Sequence, residues 1–344
     1  MKLNQLANSD LKVSEICLGT MTFGEQNTEV EAHSQLDMAA SYGVNFIDTA
    51  EMYPVAPRAQ TQGLTESYVG SWLARQQRDK FIVASKVTGP SRGFDWIRGG
   101  PRLNVQQIQK AIEGSLQRLQ TDYIDLYQIH WPDRYVPMFG QTSYNIEQEH
   151  ESESIQQQLE ALSELVKAGK IRAIGLSNET PWGVGEFQRC AKQFDLPCIV
   201  SIQNAYHLMN RTFEAGLAEV CRYENVGLLA YSPLAFGHLS GKYVVDPKAS
   251  GRVTLYPAFT QRYAKTNVLE ATKAYVGIAH EAGLTPTQMA LAFVRSRWFT
   301  SSVIIGATNV QQLQENIESA NVKLTVGVLE EIEAVHQRYP NPAP

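Results

Sequence analysis

The feature that most constrains this chain is an alternation. Short β-rich runs exchange with helical patterns from one end of its 344 residues to the other. A hairpin is predicted within residues 2–14, and Glu15–Gly19 then reads as a strand. Seven further strands are predicted at Val44–Asp48, Phe81–Ser85, Ile124–Ile129, Ile171–Leu176, Cys198–Gln203, Val226–Tyr231 and Val303–Gly306. Several are near-continuous apolar runs, as expected of parallel strands buried on both faces. Between them lie helices with legible ends. Ile108, Ile112, Leu116 and Leu119 recur at helical spacing behind Asn104 and Gln107, placed as a capping box. Leu159, Leu162, Leu165 and Val166 form a second stripe, closed by Lys167 and a C-capping Gly169. Thr285-Pro286-Thr287-Gln288 reads as N-cap, N1 proline and a glutamine at N3.

Eight β–α alternations leave a barrel or a doubly wound sheet as the architecture. No linker or low-complexity tract divides the chain, so residues 1–344 read as one α/β domain. Three segments are long for barrel loops: 54–64, 132–154 and 232–266. Within the second, the acidic stretch Glu147–Glu153 reads as a solvated tip.

Composition removes several classes of function. A formal net charge of −5 without any Lys/Arg block gives no reason to expect nucleic acid or an acidic membrane surface as partner. No apolar run reaches the ~18–20 residues needed to cross a bilayer, and Met1–Gln5 leads into polar sequence unlike a signal peptide. Cys17, Cys190, Cys198 and Cys221 form no C-x-x-C pair and are expected to be buried, reduced thiols. A cytoplasmic location is the expectation. No G-x-G-x-x-G follows a strand, which argues against a Rossmann site. Gly237–Lys242 is one residue short of a P-loop, and the seven histidines show no metal-ligand spacing.

In a (β/α)₈ enzyme the active site gathers at the C-terminal ends of the strands. Here those ends carry Gly19-Thr20-Met21, Asp48 with Tyr53 beyond it, Lys86, His130, Ser177-Asn178, Gln203-Asn204, Tyr231-Ser232 and Gly306-Ala307-Thr308. Each has a bland explanation: Asp48 as a turn residue, Tyr53 as packing, Lys86 pointing to solvent, His130 as a hydrogen-bonded core residue. All four would have to hold at four strand ends together. Read jointly, the four make chemical sense. A carbonyl that accepts hydride needs a proton at its oxygen. Tyr53 is a weak acid, with an ordinary pKa near ~10, that a nearby Lys86 cation would bring down. Asp48 would neutralise Lys86, and His130 would hydrogen-bond the carbonyl oxygen.

At these residues the chain resembles the aldo-keto reductase superfamily, and within it the bacterial Tas-like branch. The resemblance is carried by Leu18-Gly19-Thr20-Met21, Phe46–Tyr53, Ser85-Lys86, Asp125–His130, Ile174–Asn178, Gln203-Asn204, Tyr231–Leu234 and Ile304–Thr308, in order along nearly the whole chain. It implies a single (β/α)₈ TIM barrel that reduces an aldehyde or ketone with NADPH. It also implies a catalytic tetrad of Asp48, Tyr53, Lys86 and His130, with Tyr53 as general acid. The NADPH/NADP+ nicotinamide would be held by Ser177, Asn178 and Gln203, with Tyr231 stacked on the ring, and Gly19, Thr20, Met21 and Asp48 would also touch the cofactor. Ser232, Pro233, Leu234, Ala235, Gly237, Leu239, Gly241 and Lys242 would run along the pyrophosphate. Gly306, Thr308, Gln312, Glu315 and Asn316 would surround the adenosine, and Arg252 is the candidate for its 2′-phosphate.

Two departures from the family pattern matter. Pro54–Gln62 intervenes where a short loop is usual, and 132–154 is long and carries Tyr135, Met138, Phe139 and Tyr144. Both loops would overhang the mouth of the site, although the aromatic residues could equally pack their own loop down. Two other functions stay in view. One is a non-catalytic NADPH-binding subunit, like the potassium-channel subunits of the superfamily, against which His130 speaks. The other is a Schiff-base enzyme using Lys86, against which Asp48 speaks because it would hold the amine charged. The small-molecule carbonyl substrate and the oligomeric state are left open.

Overall fold

A computed structural model describes residues 1–343. A hairpin of β1 (Leu3–Gln5) and β2 (Lys12–Ser14) leads into eight parallel strands that close on themselves: β3 (Ile16–Gly19), β4 (Phe46–Asp48), β5 (Ile82–Val87), β6 (Ile124–Ile129), β7 (Ile171–Ser177), β8 (Ile199–Ala205), β9 (Gly227–Tyr231) and β10 (Thr300–Ile305). The last strand pairs with the first, Val303 opposite Ile16, and shuts the barrel. Around it lie α1 (Glu29–Ser41), α2 (Leu64–Leu73), α3 (Val105–Leu119), α4 (Ile155–Lys167), α5 (Pro181–Phe194), α6 (Leu217–Glu224), the one-turn α7 (Lys242–Val245) and α8 (Arg252–Leu255), then α9 (Val268–Glu281), α10 (Pro286–Ser296), α11 (Val310–Glu318) and α12 (Val326–Arg338). No helix among the described residues is long and apolar enough to cross a membrane.

The strand boundaries differ from the sequence reading for local reasons. Glu15 stays outside β3 because its carboxylate accepts from the Lys2 amide and pairs with Arg295. β4 starts at Phe46 because the Asn45 side chain is spent on the hairpin, accepting from Ser14 N and donating to Lys12 O. β10 begins three residues early, at Thr300. The polar run Thr300-Ser301-Ser302 carries no apolar signal, yet its backbone pairs with β9 and Ser302 Oγ donates to Ser14 O. β5 runs through Lys86 to Val87, so the lysine lies within the strand.

The helix ends follow their caps. Thr285 and Gln288 form the full capping box. Asn104 caps α3, but the Gln107 side chain turns to Arg98 and leaves that box half made. Gly169 lies just beyond α4 with φ +71°, a left-handed conformation that suits glycine. Three cysteines are buried, as expected, but Cys198 is exposed just ahead of β8. The segment 232–266 is not a bare loop: it holds α7, α8 and two 3₁₀ turns, Ala235–Ser240 and Pro257–Tyr263.

Two layers of core hold this frame. The outer one packs helices against the strands' outward faces. The inner one fills the bottom of the barrel, where Leu6, Leu11 and Val13 of the hairpin region pack on Cys17, Phe46, Ile82, Leu126 and Ala173.

Candidate active site at the rim of the barrel

Side chains alternate along a strand, so the residue two positions beyond each inner-core side chain faces the same lumen, one layer higher. Phe46 leads to Asp48, Ala84 to Lys86, and Leu126 to Gln128. These residues meet. The Lys86 ammonium donates to Asp48 Oδ2 at 2.7 Å and to Thr49 O at 2.8 Å. The other Asp48 oxygen accepts from Gln203 Nε2 at 2.8 Å and from Gln128 Nε2 at 3.3 Å. Both members of the ion pair are buried, and each is satisfied from several sides, which such a pair requires. Gln128 was visible in the sequence but had no role there. Its place depends on Gly175 of β7, where a Cβ would lie 2.4 Å from Ser201 Oγ and 3.0 Å from Gln128 Cγ.

Tyr53 stands on the loop after β4, held by its own amide on Ala50 O and by its carbonyl accepting from Gly63 N. Its ring is 4.9 Å from Lys86 Nζ, and His130 meets it edge-on at 5.6 Å between centroids. Burial pushes the Tyr53 phenol above its ordinary value, and Lys86 pulls in the opposite direction without cancelling it. The sequence reading had only the second effect. Burial also opposes the Lys86 charge, but Asp48, Tyr53 and Cys17 together outweigh it and hold the ammonium above its usual value. Burial and then Lys86 drive His130 well below the usual imidazole value, so its ring is neutral at pH 7.

Above this group a cleft of about 1220 Å³ runs across the rim. Every site residue expected from the sequence lines it except four. Lys86 lies beneath the floor, and Ala235, Leu239 and Gly241 are buried behind the wall. On one side Asn178 ties the strand ends together: it donates to His130 O at 2.9 Å and accepts from the Tyr231 hydroxyl at 2.7 Å. Asn178 has φ +55°, an uncommon conformation that asparagine tolerates better than most residues. Ser177 Oγ donates to Gln203 O. At the far end Gln312 accepts from Thr308, Glu315 accepts from Thr285, and Asn316 donates to Gly306 O.

The long loops divide. Val55 and Pro57 of the first, and Phe139 of the second, do line the mouth, whereas Tyr135 and Tyr144 pair with each other at 5.2 Å. Three loops are tied together where Glu25 pairs with Arg58 and accepts from the Tyr256 hydroxyl. Sequence reasoning missed Arg92, Phe94, Phe259 and Arg262 as lining residues. The length of segment 232–266 was the only signal pointing to two of them.

A closed eight-stranded parallel barrel with ionisable groups gathered on its C-terminal rim defines a (β/α)₈ enzyme. The sequence profile of the Aldo/keto reductase family matches residues 15–337, and the chain belongs to that family of oxidoreductases. It is 54% identical, over the whole of both chains, to "Protein tas" of Escherichia coli. It is 41% identical to an "Aldo-keto reductase" of Babesia bovis, across 76% of this chain and 98% of the other. To the "Uncharacterized oxidoreductase YrpG" of Bacillus subtilis it is 32% identical, across 96% and 94%.

Proposed function

We propose that the chain works as one cytoplasmic domain that reduces an aldehyde or ketone to the alcohol with NADPH. The observation that carries this is the Asp48–Lys86 pair set under Tyr53, with a neutral His130 beside it on the floor of the cleft.

The cleft suits the cofactor. Lys242 and Arg252 line it, and neither has a carboxylate partner among the described residues, which leaves two cations for phosphates. Arg252 is the one assigned to the 2′-phosphate, a contact that NADH does not offer. Ser177, Asn178 and Gln203 supply side-chain hydroxyl and amide groups for the carboxamide, and Tyr231 a flat ring for the nicotinamide. When bound, NADPH supplies the hydride to the carbonyl carbon.

The chain's own residues deal with the oxygen. Tyr53 donates the proton that the developing alkoxide needs. Burial keeps that proton on the phenol at rest, and the neighbouring ammonium stabilises the phenolate left behind. Asp48 holds Lys86 in position and charged, which also denies it a role as an amine nucleophile. His130, being neutral, polarises the carbonyl as a hydrogen-bond donor. The test is to follow NADPH absorbance with aldehydes, ketones and quinones, for the parent and for Tyr53→Phe. No oxidation of NADPH with any of them, or an undiminished rate in the variant, would overturn the proposal.

A further inference from the structure

The cleft is lined by five basic side chains and two carboxylates, and the carboxylates are both engaged: Asp48 with Lys86, Glu315 with Thr285. Lys265 is exposed to solvent, and Lys242 and Arg252 are accounted for by phosphates. Arg92, from the loop after β5, and Arg262, from the turn Pro257–Tyr263, are not. Both sit on the ring of Phe139, at 5.3 and 4.7 Å from its centroid, and Arg262 also reaches the rings of Phe236 and Phe259. Aromatic faces are their only partners: neither guanidinium has a hydrogen bond or an ion pair among the described residues. Arginine presents a fork of donors suited to a carboxylate, so two idle forks at one mouth are an incomplete arrangement.

Four further observations agree. Burial, and the like charge of Arg92, bring the Arg262 guanidinium below its usual value, so an anion between them would relieve both. Arg262 also acts electrostatically on Tyr231, the ring at the end of β9. Phe139 is held at φ +55°, a left-handed conformation unfavourable for a bulky residue and typical of ligand clamps. The walls beside the pair are apolar and flat: Phe94, Trp131, Phe139, Phe236 and Phe259.

We infer that the substrate is a carbonyl compound with an apolar, ring-sized body and a carboxylate at its far end, gripped by Arg92 and Arg262. This rests on the carbonyl-reductase reading above. The two arginines determine specificity and take no part in proton transfer.

The experiment compares acids with their neutral esters. 4-Formylbenzoate and 4-formylcinnamate are each run against the methyl ester with NADPH, using the parent, Arg92→Met, Arg262→Met and the double variant. The parent should favour at least one acid over its ester roughly ten- to hundredfold in kcat/KM, the worth of one or two charge-assisted hydrogen bonds. Each single variant should shrink that ratio, and the double variant should bring it near one, with the ester rate changed less than about threefold. If the arginines only clamp the Phe139 loop, acid and ester will fall together, and that overturns the inference. A parent without preference, or a preference that survives in the double variant, also overturns it. If neither acid nor ester is reduced, the reductase reading is left to the wider screen above, and binding of terephthalate to the NADPH complex, read by cofactor fluorescence, decides this one. Binding lost in the double variant supports the anion site, and no binding by the parent overturns it.

Discussion

The two ends of the barrel lumen are built from the same strands and do opposite things. At the bottom, the inward side chains are Cys17, Phe46, Ile82, Leu126 and Ala173, and the hairpin drives Leu6, Leu11 and Val13 into them. Two residues beyond Phe46, Ala84 and Leu126 on the same strands, the lumen holds Asp48, Lys86 and Gln128, with Gln203 from β8 completing the layer. One layer contributes stability through apolar burial. The next spends some of it, taking an ion pair out of water and recovering the cost through hydrogen bonds. A period of two, with an apolar foot and a polar head, is thus enough to place a reactive layer on an inert one.

Substitutions at the two ends should therefore separate. The largest effect belongs to the head: Tyr53→Phe should slow reduction by roughly 10²–10⁴-fold while NADPH affinity and unfolding free energy hardly move. Lys86→Met should slow it in the same direction. Asp48→Asn should in addition cost about 3–5 kcal/mol, because it leaves the buried ammonium without its counter-charge; urea unfolding measures this. At the foot, Leu11→Ala should cost about 2–5 kcal/mol of stability with kcat unchanged at a temperature where the variant is folded. A kcat that drops in step with stability would show that the two layers are not independent.

Smaller effects refine the picture. NADPH should bind more tightly than NADH, and Arg252→Ala should narrow the gap by about tenfold or more, read as the ratio of dissociation constants. Equal constants in the parent would remove the preference, and an unchanged ratio in the variant would remove only Arg252. The last effect concerns pH. His130 is held below its ordinary value in the folded chain, so on acidification the unfolded state takes up a proton that the native state refuses. Stability from this group is flat above about pH 6.5 and falls as the pH drops below it, by at most about 1.4 kcal/mol per unit. His130→Asn should therefore lose less stability than the parent between pH 7 and pH 5, by at most about 2 kcal/mol, with His238, also depressed by burial, titrating equally in both.

How much of this was legible depends on where each signal came from. The strands were visible because burial on both faces makes them apolar, as in Ile124–Ile129, which matches its observed bounds. β10 was seen only in its apolar half, since Thr300–Ser302 pair through backbone that composition does not report. The rim residues were readable because barrel geometry names their positions before their chemistry is considered. The arrangement of Gln128 and Gln203 on one carboxylate was not, because it depends on the barrel's curvature bringing β4, β6 and β8 together. Nor was the net effect on Tyr53, which is a balance between burial and Lys86 set by the folded arrangement. Arg92 and Arg262 lie in irregular segments where no periodicity points to a partner.

The closure of β3 on β10 bears on how the molecule is made. Ile16 emerges from the ribosome long before Val303, its partner across the seam. Until then the growing sheet has two bare edges, the free sides of β3 and β9, each a row of unpaired backbone groups that invites pairing with another chain. Contacts of such long sequence separation also slow folding. A chain ending before Thr300 should therefore be recovered as aggregate, while one that reaches past Ile305 has both edges paired.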